Sequence, residues 1–177
     1  MVEVTRTNPN AFQIIADQLR SLDGKEAKAG FFASAKYEDG TPVAYIATIQ
    51  EYGAHFTQFG SKAGDYSVVI PPRPFMRPTV ARETQNWLDA LASGAKAVLA
   101  GNMSATDVMW AVGHKAALDI AKTITQITSP PLKPATIAAR LRKRADKATV
   151  GNLTKPLIDS GKMLESVQNT VEDANAG

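Results

Sequence analysis

Nine residues, Ile70 to Pro78, read IPPRPFMRP and hold four prolines, two arginines, a phenylalanine and a methionine. Each proline fixes its backbone φ near about −65° and removes a donor. Pro71 and Pro72 therefore end the strand that the β-branched run Tyr66-Ser-Val-Val-Ile70 predicts. The segment is stiff, loses little entropy on docking, and needs an apolar seat for Phe75 and Met76. That seat lies either in the chain's own core or in a neighbouring subunit. Arg73 and Arg77 suit carboxylate partners, because the planar guanidinium offers paired donors.

The elements around this segment follow from periodicity. Asn8-Pro9 reads as a cap and first-turn proline for a helix carrying Phe12, Ile15, Ala16, Leu19 and Leu22, stopped by Asp23-Gly24. A strand is expected between Lys28 and Tyr37, with a turn at Asp39-Gly40. Thr41-Pro42 opens a short helix through Val43, Ile46, Ala47 and Ile49 that ends at Gly53, and His55 to Asp65 reads as a loop. Past Pro78, Thr79 is a candidate cap for a long helix through Trp87, Leu91 and Val98, interrupted at Gly101-Asn102. Ser104 and Asp107 have capping-box spacing, and Met109, Val112, Ala116, Ile120, Ile124 and Ile127 mark one face of a second long helix. The expectation is an α+β fold: a small, mostly antiparallel sheet packed against one or two long helices, with an extended basic connection. Residues 1–177 are read as one domain, residues 130–156 as a mobile basic arm, and residues 172–177 as a frayed tail.

Composition narrows the chemistry. The 177 residues include no cysteine and two histidines, which removes disulfides, thiolate catalysis and cysteine-ligated zinc. Neither histidine has ligand spacing; Glu51 and His55 are four apart, but Gly53 lies between them. A Ser160, His55, Asp159 triad can be written on paper without any G-x-S-x-G elbow to support it. GSKAG at Gly60 to Gly64 lacks the full phosphate-loop pattern. The reading is of no catalytic, cofactor or metal site, and no window long enough to span a membrane. Charge is concentrated instead: Lys133 to Lys147 holds six basic residues and one acid, +5 within a chain of +3. Arg140, Arg142, Lys143 and Arg144 could therefore meet DNA phosphates or an acidic partner. No aromatic residue is interleaved for base stacking.

Taken in order, IQEYGAHF (Ile49 to Phe56), VIPPRPFMRPTV (Val69 to Val80) and KPLIDSGKMLESV (Lys155 to Val167) resemble the HK97 gp10-like family of tail-completion, neck and virion-morphogenesis proteins of tailed bacteriophages. The resemblance runs from about Phe31 to Val171. The residues that carry it as interface or motif positions are Glu51, Tyr52, Gly53, Arg73, Pro74, Phe75, Met76, Arg77, Leu157 and Gly161. It implies a non-enzymatic structural protein of the virion head–tail junction, assembled in the host bacterial cytoplasm. The implied assembly is a homo-oligomer, a hexameric ring in the virion, meeting the head–tail connector and the tail terminator or tail tube. A contact with packaged DNA is part of that expectation. The alternative reading is a DNA-binding module centred on Arg140 to Arg144. The long basic connection between Pro130 and Lys155 departs from the compact members of the family.

Overall fold

Three helices of the chain end on glycine, at Gly24, Gly53 and Gly101. The computed structural model describes residues 10–58, 66–144 and 153–174. Asn8, Pro9, residues 59–65 of the expected loop, residues 145–152 of the expected arm and residues 175–177 lie outside the described residues. The elements run α1 (Ala11–Asp23), β1 (Lys25–Phe31), α2 (Val43–Tyr52), β2 (Ala54–Gln58), β3 (Tyr66–Ile70), α3 (Met76–Leu99), α4 (Ala105–Gln126), α5 (Pro134–Arg144), α6 (Lys162–Glu165) and β4 (Val167–Asp173). The fold is α+β, as its periodicities predict, and among the described residues the strands form two two-stranded sheets, β1–β4 and β2–β3. Among the described residues no helix is long and apolar enough to cross a membrane.

The chain divides into two compact units. One takes the chain up to Ala29, Gln85–Ala116 and the stretch from Asn169 onward; the other takes Gly30–Thr84 and Ala117–Gln168. The division falls inside α3 and α4, whose continuous apolar patterns hide it from a reading by composition.

In the first unit, β1 and β4 pair antiparallel, and Ala174 N–H donates to Gly24 O at 3.1 Å. Lys25 meets Asp173 and Lys28 meets Glu172, each at 2.6 Å across the pair. Glu172 and Asp173, expected to fray, thus belong to the strand. The break at Gly101-Asn102 is a Schellman turn. Gly101 has φ +73°, its N–H donates to Val98 O at 2.9 Å, and Asn102 N–H donates to Ala97 O at 2.9 Å. Ser104 Oγ then accepts Asp107 N–H at 3.1 Å and donates to the Asp107 carboxylate at 2.6 Å, which caps α4. Val98, Ala105, Val108 and Ala116 are buried here.

Gly94 of α3 allows the close approach of Val108. A Cβ built there would overlap Val108 Cγ1 and stand 3.0 Å from Cγ2. Gly94→Ala should cost about 1–3 kcal/mol by overpacking, read from urea midpoints. Adding Val108→Ala should return part of that loss; a double variant no better than the single one contradicts the assignment.

In the second unit, Val43, Phe75, Ile120, Ile124, Leu157, Ile158 and Met163 are buried. Thr79 does not cap α3. The helix begins three residues earlier, and Thr79 is buried in its first turns with its hydroxyl 2.6 Å from that of Thr123. Nor are residues 55–58 part of a loop: β2 pairs with β3 from Ala54↔Ile70 to Gln58↔Tyr66. The basic connection is in part a folded element, because residues 134–144 form α5.

Candidate assembly site

The start of α3 is the organising point. The first turn of any helix leaves N–H groups without intrahelical partners, and nothing before Met76 can cap it, since Pro74 and Phe75 lack side-chain acceptors. Glu51, at the end of α2, supplies the acceptor from a distance of some two dozen residues. One carboxylate oxygen accepts Phe75 N–H at 2.6 Å and Met76 N–H at 2.9 Å; the other accepts Arg77 N–H at 3.1 Å and Arg77 Nε at 2.9 Å. Pro78 has no N–H to satisfy. The carboxylate also sits where the helix dipole favours negative charge. Glu51 is 3% exposed.

Tyr52 and Gly53 complete the joint. Tyr52 is exposed and lies under the Arg77 guanidinium, 4.7 Å from Cζ to the ring centroid. Arg77 Nη2 also donates to Glu51 O at 3.1 Å. Gly53 has φ +76°, and a Cβ there would stand 2.8 Å from Ile70 O and 3.0 Å from Pro72. Only glycine lets the helix end turn so tightly into β2 beside the end of β3.

Arg73 faces inward. Its Nε donates to Pro130 O at 2.8 Å, Nη2 to Pro131 O at 3.2 Å and Nη1 to Gln50 Oε1 at 3.3 Å, while its own N–H donates to Gln50 O at 2.7 Å. Burial, and secondarily the charge of Arg140, lower its pKa from the ordinary value. Phe75 is 0% exposed and meets Phe31 edge-on, ring centroids 5.9 Å apart. Its seat is therefore in its own unit. Pro74 and Met76 are half-buried beside it.

Burial pushes the Glu51 carboxyl up, but hydrogen bonds from Met76 and Phe75 N–H, and from the side chain and N–H of Arg77, outweigh it and hold the pKa below its ordinary 4.5. A depressed folded value means that the stabilisation is complete above the unfolded value and is lost as pH falls through the folded one. Urea midpoints should thus be level above about pH 5 and decline in more acid solution. Glu51→Gln should flatten that decline; an unchanged acid limb contradicts the role given to this carboxylate.

The third motif folds around Arg140. Its Nη1 donates to Lys155 O at 2.8 Å, Ile158 O at 3.1 Å and Leu153 O at 3.4 Å, and Nη2 to Pro156 O at 3.2 Å. The guanidinium is committed to these carbonyls and is not free for phosphate. The reason lies in helical spacing: Arg140 follows the half-buried Ile137 by three residues and shares its face. Arg142 is exposed, and the side chains of Lys143 and Arg144 lie outside the described residues. Leu157 is buried, and Gly161 takes φ +85° to enter α6. A cleft of about 830 Å³ runs between α2 and this turn, lined among others by Tyr37, Gln50, Arg140, Asp159 and Lys162. Burial, then the charges of Asp159 and Asp39, raise the Tyr37 pKa. Arg140→Met should strand the four carbonyls and cost about 2–4 kcal/mol, with faster amide exchange in residues 153–165. Arg142→Ala should stay within about 0.5 kcal/mol.

What the clasp holds outward is the β2–β3 hairpin. Residues of both faces are exposed, including Phe56, Val68 and Val69, the last at 54%. His55 Nε2 lies 2.6 Å from Ser67 Oγ on the solvent side. Neither strand contains an Asp, Glu, Lys or Arg. A sequence reading finds Glu51, Arg73 and Phe75 as motif positions but misses that they bond to one another's segments. The missing local cap before Met76 is the signal that points to a distant acceptor. Comparison with protein-family models, curated proteins and solved structures finds no match to this chain.

Proposed function

We propose that this chain is a non-enzymatic structural subunit of a tailed-bacteriophage head–tail junction, joining or completing the neck and tail through contacts between subunits. One observation carries the reading: a hairpin whose two strands carry no charged residue and are exposed on both faces is rooted on the Glu51 clasp. A two-stranded hairpin alone is marginally stable, and an exposed apolar patch marks an interaction surface. The clasp is made from the same residues, Glu51 to Gly53 and Arg73 to Arg77, that resemble the phage family. Their role in this reading is to aim the hairpin rather than to touch the neighbour, with Tyr52 and Arg77 as the exposed exceptions. The partners are other copies of the chain in a ring, the connector on the head side, and the terminator or tube on the tail side.

Inactivating the gene in its phage tests the proposal. The expected result is DNA-filled heads and separate tails, with joining restored by the purified wild-type protein. Intact, infectious particles formed without the protein would overturn it.

A further inference from the structure

The two sheets of this chain treat their edges in opposite ways. β1 and β4 carry Lys25, Glu26, Lys28, Glu172 and Asp173, charges of the kind that blunt a strand edge against further pairing. β2 and β3 have none, no proline lies within either, and among the described residues no third strand pairs with them. Each outer edge leaves about half of its strand's N–H and C=O groups facing away from the hairpin partner. Such an edge is completed by an extended backbone, and a neutral edge selects a neutral strand.

We propose that the outer edge of β3 pairs antiparallel with the outer edge of β2 in the next copy of this chain, so that hairpins from successive copies form one continuous sheet. Within one hairpin, β2 and β3 run in opposite directions, so placing the next β2 beside β3 continues the alternation without turning either subunit over. Both new strands are free of charge, and the proposed contact repeats between copies the register found within one hairpin, Phe56↔Val68 and His55↔Val69. This sets β-branched residues beside aromatic ones, a pair type that stabilises antiparallel sheets. A two-fold β3–β3 contact would leave both β2 edges bare. The head-to-tail contact leaves none when a ring closes. The inference rests on the reading of the hairpin as an assembly surface, but it concerns the purified protein and is tested without a virion.

The absence of cysteine makes the test clean. Phe56→Cys and Val68→Cys are prepared as separate chains, one carrying a size tag, and both are checked for wild-type circular dichroism. Wild-type mass is measured by light scattering at about 100 µM, a concentration suited to interfaces below the standard ~1,200 Å². The expected result is self-association of the wild type, with mixed F56C–V68C disulfides forming about 10-fold faster than mixed F56C–V80C controls, because proximity raises the effective concentration. V68C alone should cross-link no faster than the control. A monomeric wild type overturns the proposal. So does a mixed rate equal to the control, or V68C homodimers forming as fast as the mixed pair.

Discussion

Replacing Glu51 with alanine should lower the stability of the isolated protein by about 3–5 kcal/mol, among the largest effects of any single substitution in the second unit. Three backbone donors, of Phe75, Met76 and Arg77, lose their acceptor together, and each buried unsatisfied group costs about 1–3 kcal/mol. Partial hydration of a loosened helix start keeps the total below their sum. The Arg77 ion pair adds little to this, since the Arg77 side chain is 57% exposed and water screens it. Glu51→Gln should cost nearly as much: its amide oxygen replaces one acceptor, while its NH₂ confronts donors. Thermal unfolding should fall by roughly 10 °C. Arg77→Ala should cost under about 1 kcal/mol. If the Arg77 variant matches the Glu51 variant, the salt bridge and not the helix cap holds the joint.

Phe75→Ala should cost about 3–5 kcal/mol, the usual range for emptying a buried aromatic site. Phe75 is fully buried beside Phe31 within one chain, so the loss must appear in dilute, monomeric protein. Phe75→Leu should recover more than half of it. The comparison decides where this residue is anchored. Were Phe75 seated in a neighbouring subunit, the alanine variant would leave monomer stability unchanged and abolish assembly instead.

The readable parts of the chain are those determined within about ten residues. Gly101-Asn102 marks the end of α3 because a left-handed residue is needed there. Ser104 and Asp107 mark the next start, and Ala116, Ile120 and Ile124 mark the buried face of α4. IPPRPFMRP likewise announces the end of a strand and the start of a helix. What the sequence hides is non-local. AHFTQ has little strand character of its own, and becomes β2 through the pairing that YSVVI supplies. Glu51 reads as one acid of a motif until the helix start that lacks a cap is placed against it. Arg140 reads as one base among six, until α5 turns it toward four carbonyls that a linear charge count does not see. The proline segment itself changes meaning in the same way. Its stiffness serves an internal joint between the end of α2 and the start of α3.

The most direct test of the proposed role at a phage head–tail junction is a cryo-EM reconstruction of such a junction assembled in the presence of the chain. The account predicts copies of the chain in a ring at the junction, with Glu51 closed on the start of α3 and each β3 edge covered by the β2 of its neighbour. A junction without the chain, or a ring in which both hairpin edges face solvent, would contradict it.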